Sequence, residues 1–388
     1  MKHVPRTVFT LGLVSLFTDI SAEMIYPLLP LFLTSVLGAG AAAIGIIEGV
    51  AEATASLLKV FSGIWSDRVQ KRKPLILAGY GLAGAVRPLI AFASTWFAVL
   101  MLRFFDRIGK GIRTSPRDAL IADVTHPESR GSAYGIQRAM DHSGAVIGPL
   151  IASAILTFTA IEMRSVFLLA AIPAAISFLI LLFGVKEEAV HNDRQKINSD
   201  SFFQWRSFSK DFKRLLAAIL IFTLGNSTDA FLLLRLYESG VQSGYIAVLW
   251  SAHHVVKAVT TYYGGLYTDR LGRRFMILAG WLIYTLVYFG FAVTDSPTGL
   301  ILIFLSYGIY FGFTEPSQRA LVADLVPAHL RGTAFGYYHL TVGIGALPAS
   351  VMFGLIWQTW GAPSAFLTGS CLALVACGML MFVHKADT

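Results

Sequence analysis

The sequence predicts an all-α membrane protein of twelve transmembrane helices in two pseudo-symmetric six-helix bundles. Three observations carry that prediction. Of the 388 residues, 55% are hydrophobic and only 14% are charged, where soluble domains carry about 25% charged residues; mean hydropathy is +0.64. The chain resolves into twelve apolar segments, each near the roughly 20 residues a helix needs to cross a bilayer. Finally, it repeats at about half its own length. Gly63 to Lys73, GIWSDRVQKRK, returns at Gly265 to Arg274 as GLYTDRLGRR, and Pro116 to Gly135 returns at Pro316 to Gly336. Asp67 matches Asp269 at a spacing of 202, while Asp123 matches Asp324 and Arg130 matches Arg331 at 201. A period this long means two related halves; solenoid units run to roughly 20–50 residues.

The apolar segments fall near 7–35, 41–65, 74–94, 96–117, 131–160 and 164–185, then 213–237, 244–268, 274–294, 297–320, 332–357 and 362–384. Backbone groups in lipid must bond within their own segment, so helices are the expected solution. The loops alternate in charge. Lys2 and Arg6 precede the first segment, and Arg68, Lys71, Arg72 and Lys73 fill the second loop. Arg117 and Arg130 flank the fourth, seven lysines and arginines from Lys186 to Arg214 the sixth, Arg270, Arg273 and Arg274 the eighth, and Arg331 the tenth. The odd loops hold almost none, Arg164 beside Glu162 being the exception. The positive-inside rule then places both termini and all even loops in the cytoplasm of a multi-pass protein of the inner or plasma membrane. Residues 186–212 read as a cytoplasmic linker between an N-terminal bundle, 1–185, and a C-terminal bundle, 213–388, with an interfacial helix near Phe202 to Phe212.

The net charge of +8 has its simplest cause in those loops, so no nucleic-acid partner is expected. The first apolar run, from about Thr7 to Leu37, is too long for the core of a cleavable signal. Cys371 and Cys377 lie six apart in the last segment and read as packing residues, with no disulfide framework or metal motif. No phosphate-binding loop, HExxH or nucleophile elbow occurs, which argues against an enzyme or an ATP-driven pump on this chain, and no cofactor is expected. The expected partners are a small-molecule substrate, protons and the lipid bilayer, for a monomer.

Ionisable residues inside a bilayer cost about 2.5–3.5 kcal/mol each on insertion scales, so each is a candidate functional site. Asp19 and Glu23 lie four apart on one helical face. They read either as a carboxylate pair that binds protons in a central cavity or as partners of arginines on neighbouring helices. The second segment carries Glu48, Glu52 and Lys59, the third Arg87, the fourth Arg103, Asp106, Arg107 and Lys110, and the fifth Arg138, Asp141 and His142. Asp106, Asp141 and His142 are further candidates for proton coupling. Arg87, Arg103, Arg107 and Arg138 are candidates for an anionic substrate, since a guanidinium keeps its proton. The alternative is a buried ion-pair network of Asp106, Asp141, Arg107 and Arg138. In the second half, Gly225 to Asp229 has poor helix propensity, and an unwound turn is tolerated where it lines a cavity. Asn226 and Asp229 are therefore candidate substrate contacts, together with His253 and Glu315. His253 and His254 are adjacent and point in different directions along a helix, so no metal site is expected.

These features resemble the major facilitator superfamily across the whole chain. Gly63, Asp67, Arg68, Arg72 and Lys73 look like that family's signature between helices 2 and 3. Gly265, Asp269, Arg270, Arg273 and Arg274 match it between helices 8 and 9. Arg107 followed by Gly111 is similar to its helix-4 motif, and Gly144, Gly148 and Pro149 in GAVIGPLIAS resemble the helix-5 motif of its drug/proton antiporters. The helix-4 run RFFDRIGKGIRTSPRD is more charged than the family pattern, and helix 1 is acidic. The resemblance implies inverted three-helix repeats within each half and a midplane substrate site around which the halves rock. In the repeated loops Asp67 and Asp269 read as partners of basic residues or helix N-termini on the opposite half-bundle, latching the cytoplasmic side. The alternative is that the basic residues only set topology. Gly144, Gly148 and Pro149 read as letting helix 5 pack tightly and bend. The resulting expectation is a proton-coupled secondary transporter for a small organic compound, anionic or chelating, with export by antiport favoured. The alternatives are a proton symporter importing an anion or metal chelate, or a non-transporting receptor with this fold.

Overall fold

The structure is a computed structural model that describes residues 4–29, 32–39, 41–69, 71–159, 161–185, 205–227, 229–241 and 243–383. Among these residues helices and turns account for nearly everything, with no strand. Most of the expected linker, from residue 186 to 204, lies outside the described residues, as do Lys2, Thr228, Lys385 and the side chain of Glu48.

Helix α1 runs Arg6–Glu23 and is followed by a 3-10 turn at Tyr26–Leu28 and a π-turn at Phe32–Val36. Helix α2 spans Ala41–Val69, α3 Lys73–Val86, α4 Trp96–Val124, α5 Arg130–Phe158, α6 Met163–Leu169 and α7 Ala171–Gly184. The second half supplies α8 Lys210–Gly225, α9 Ala230–Glu238, α10 Ser243–Leu271, α11 Arg273–Val293, α12 Pro297–Asp324 and α13 Arg331–Leu380. Local chemistry sets several ends. Thr95 Oγ1 accepts from Ala98 N–H at 3.2 Å to start α4, and Ser209 Oγ accepts from Phe212 N–H at 3.1 Å to start α8. Pro88 follows Arg87, where α3 gives way to a 3-10 stretch, Arg87–Phe92, as loss of an N–H donor requires. The long α13 bends at Gly361, whose φ of 83° is left-handed, between the two last predicted segments. The segment expected at 164–185 is two helices, with Pro173 in the first turn of the second, and the described part of the interfacial helix expected near Phe202 to Phe212 is a 3-10 turn, Trp205–Ser207, ahead of α8.

The half-length repeat is a repeat of elements. Helices α2, α3 and α4, the 3-10 turn Pro127–Ser129 and the start of α5 return as α10, α11 and α12, the 3-10 turn Ala328–Leu330 and the start of α13. Packing repeats too: α4 lies against α2 and α3, and α12 lies against α10 and α11. Seven stretches among the described residues are apolar and long enough to cross a bilayer by composition alone. Helices α2, α4 and α10 have 29 residues each, about 43 Å of helix.

The chain divides into two compact units. One takes in residues 4–125, 140–185 and 328–336; the other takes in residues 126–139, 205–327 and 337–383. The core of the first includes Phe32, Ile47, Ile90, Val99, Val166 and Phe167. The second is built on an aromatic stack. Trp281 lies flat on Phe222 at 4.7 Å, Tyr284 on Tyr288 at 4.2 Å, and Tyr307 on Tyr310 at 5.6 Å.

Candidate functional site

In the first unit, α4 carries its charges on the side that packs against α1, α2 and α3. Asp106, 2% exposed, accepts from Arg87 Nε at 2.7 Å and Arg103 Nη1 at 3.5 Å, with Arg107 Nε at 4.0 Å. Arg87 also donates from Nη1 to the Thr18 carbonyl of α1 at 2.9 Å, and the Arg103 guanidinium lies 5.0 Å from the centre of the Tyr26 ring. Three guanidiniums thus share one carboxylate. Glu23 lies in the field of Lys110, Arg107, Arg87 and Arg103, and Glu52 in that of Lys110, Lys59 and Arg107.

Asp19 of α1 is within hydrogen-bond reach of Asp141 of α5, with Glu23 and Arg113 as further charged neighbours. Glycines bring these two helices together. A Cβ on Gly144 would run into the Leu16 carbonyl and Asp19 Cβ, and one on Gly148 into the Ile20 carbonyl and Glu23 Cβ. Small residues permit close backbone approach, and Asp141 sits one turn before Gly144. His142 is buried beside it. Ser15, four residues before Asp19, continues the polar layer with Tyr80 and Arg117. Ser15 Oγ lies 3.4 Å and Arg117 Nη1 3.5 Å from Tyr80 Oη, and Arg117 Nη2 donates to Asp118 at 2.9 Å.

Arg138 has a partner that the expected network did not include: in the second unit it makes a bidentate pair with Glu315 of α12, Nε to Oε2 at 2.6 Å and Nη2 to Oε1 at 2.8 Å. Asp106 is already surrounded by three guanidiniums, and the long Arg138 side chain reaches a carboxylate with matching fork geometry.

The break expected at Gly225 to Asp229 is present, with α8 ending at Gly225 and α9 starting at Ala230. Tyrosines hold it. Tyr284 Oη donates to the Gly225 carbonyl at 2.9 Å and lies 3.4 Å from Asn226 Oδ1, Tyr288 Oη lies 3.2 Å from Ser227 Oγ, and Tyr307 Oη donates to Asp229 at 2.9 Å. His253 is fully buried and stacks on Tyr307 at 5.3 Å and Phe304 at 4.9 Å. Lys257, one turn on, puts Nζ 3.5 Å from the centre of the Phe311 ring. Nothing in a single sequence marks these tyrosines as contacts of the turn, because α11 and α12 meet it only through the fold. No group of three or more His, Cys, Asp or Glu gathers as a metal site among the described residues.

The repeated loops form two matching constellations. In the first unit Asp67 Oδ1 accepts from Arg72 Nη1 at 2.6 Å and Gly332 N–H at 3.0 Å, while Oδ2 accepts from Thr333 N–H at 2.6 Å and Thr333 Oγ1 at 2.8 Å. Asp123 then receives Arg72 Nε at 3.1 Å and Arg331 Nη1 at 2.8 Å. In the second unit Asp269 accepts from Gly131 N–H at 2.9 Å and Ser132 N–H at 2.7 Å, with Arg273 at 3.3 Å. Asp324 receives Arg273 Nε at 3.1 Å and Arg130 Nη1. Each aspartate caps a helix start, where free N–H groups favour an anion. Gly63 and Gly265 allow the approach: a Cβ on the first would overlap the Gly332 carbonyl, and one on the second the Gly131 carbonyl. Arg68 and Arg270 belong to the last turns of α2 and α10.

A sequence model of the family described as Major Facilitator Superfamily matches residues 11–347 and 238–388. An uncharacterized MFS-type transporter of Methanocaldococcus jannaschii is 31% identical over 388 residues, covering 98% of this chain and 96% of its own. The class E tetracycline resistance protein of Escherichia coli is 26% identical over 402 residues, covering 98% and 95%. Among solved structures, the human organic anion transporter MFSD10 superposes with a TM-score of 0.79 at 17% identity, covering 97% of this chain and 99% of that one.

Proposed function

We propose that this chain, which belongs to the Major Facilitator Superfamily, couples proton movement to transport of a small anionic or chelating organic compound, in the direction of export by antiport. Membership makes it an integral multi-pass membrane transporter of small molecules, not an enzyme. The observation that carries the finer reading is the cluster on α1, α4 and α5. There the Asp19–Asp141 carboxylate pair lies in the same unit as three guanidiniums on Asp106. Two adjacent carboxylates hold one proton more readily than two negative charges, which suits a coupling site. The gathering of Arg87, Arg103 and Arg107 around Asp106 suits an anion. Export is supported by the GAVIGPLIAS run and by similarity to a tetracycline resistance protein.

In this reading Asp19, Glu23, Asp141 and His142 handle the proton, with Asp106 setting the charge of the arginines around it. Arg87, Arg103 and Arg107 contribute to an anion-attracting field, and Arg138 with Glu315, Asn226, Asp229 and His253 form the counterpart in the second unit. The sequence halves 1–185 and 213–388 move as alternating-access domains around a monomer's single pathway, with both termini cytoplasmic and no nucleic-acid partner. Asp67 and Asp269, with Arg72 and Arg273, act as latches that form and break during the cycle.

Proteoliposomes with an imposed pH gradient test this. Lumenal pH is followed while organic anions, chelates and cationic drugs are added. A proton flux triggered by an anion or chelate, and lost in Asp19→Asn or Asp141→Asn, is the expected result; its sign relative to substrate flux distinguishes antiport from symport. Flux triggered only by cations removes the anionic substrate, and wild-type transport indifferent to the gradient removes the coupling.

A further inference from the structure

Six arginines of the first unit have carboxylate partners. Arg72 and Arg331 bind Asp123, and Arg72 also binds Asp67; Arg87, Arg103 and Arg107 surround Asp106; Arg117 binds Asp118. Arg113 differs in pairing with no carboxylate among the described residues. It is 5% exposed, and its Nε and Nη1 have no hydrogen-bond partner. Its guanidinium lies over the Tyr80 ring, 4.2 Å from the centre, and within electrostatic range of Asp19 and Asp106.

This side chain is held in place from two directions. At its base, α3 and α4 cross in backbone contact: a Cβ on Gly79 would meet the Gly109 carbonyl and the Arg113 Cβ. Beneath it, Tyr80 is fixed through its hydroxyl by Ser15 and Arg117. A guanidinium so placed, with Nε and Nη1 on its two different edges and neither filled by a protein acceptor, is preorganised to donate to an oxyanion from either edge. A buried cation without such a partner is unfavourable unless a partner arrives.

We propose that Arg113 is the anchor for the substrate's oxyanion, a carboxylate or a phosphate, with the Tyr80 face supporting the guanidinium. This rests on the reading of the chain as an anion transporter. It names as the direct contact a residue that the repeat motifs do not mark, while Arg87, Arg103 and Arg107 act through the field they share with Asp106.

The test uses the full chain in lipid nanodiscs, with benzoate, citrate and inorganic phosphate as probes against chloride at equal ionic strength. Binding is read by calorimetry, and transport of the same anions in proteoliposomes. The expected result is binding of at least one probe by wild type, weakened at least tenfold in Arg113→Gln and less in Arg113→Lys, which keeps the charge without the fork. In transport the loss falls on KM more than on kcat. Preference for the carboxylates or for phosphate identifies the source of the oxyanion. Arg113→Lys also serves where the glutamine variant does not fold. Anion binding and KM unchanged in either folded variant overturn the anchor while leaving anion transport standing. Wild type that binds and moves none of the three overturns the anchor, and whether cationic compounds then drive proton flux decides the transport reading separately.

Discussion

Asp106 shows how a single carboxylate organises a membrane helix. Three arginines face it at 2.7, 3.5 and 4.0 Å, and each would be costly alone in an apolar interior. Removing one partner of a buried pair typically costs about 3–5 kcal/mol, so Asp106→Asn is expected to lower stability by that order, measured by thermal unfolding of the purified protein. Asp67 and Asp269 occupy matching positions with unequal burial, 1% against 11% side-chain exposure. Water can replace lost hydrogen bonds at the more exposed site. Asp67→Ala is therefore expected to reduce the initial transport rate at least tenfold and Asp269→Ala by less, read in proteoliposomes with each variant's folding checked.

At the scale of elements, glycine spacing decides which charges meet. Gly144 and Gly148 bring α5 onto α1 at Asp19 and Glu23, and that crossing puts Asp141 within reach of Asp19. A branched side chain in such a contact forces displacement, at about 1–3 kcal/mol for overpacking. Gly144→Val is expected to destabilise by that amount and to abolish proton flux in the same assay, whereas Gly378→Ala, at a glycine with open space around it, leaves both unchanged. The GAVIGPLIAS run was visible in the sequence, but which helix it would approach was not. The break after Gly225 was visible for a related reason, poor helix propensity. The tyrosines that satisfy it come from α11 and α12, some 60 to 80 positions away, and left no local signal.

At the scale of the molecule, the chain is two copies of one plan. Its elements return in order, and so do its ion-pair clusters: Asp67, Arg72, Asp123 and Arg331 in the first unit, Asp269, Arg273, Asp324 and Arg130 in the second. The positive-inside rule applied to the basic loops of that plan gives an expected orientation, with both termini in the cytoplasm. A reporter that is active only outside the cytoplasm is expected to be silent at either terminus and active when inserted after Gly361.

The sequence by itself determined the class of this protein. Composition, spanning length and a half-length repeat are properties of the chain read in one dimension, and they led to helices, a bilayer and two related halves. It also determined that the two basic loops would correspond, because an aspartate returns at the same place in each. Only the tertiary structure decided the pairings. Arg138 meets Glu315 across 177 positions, Asp106 takes three arginines, and Arg113 is left above Tyr80 with donors to spare. Charges find partners by distance in space, and a sequence orders them only by distance along the chain.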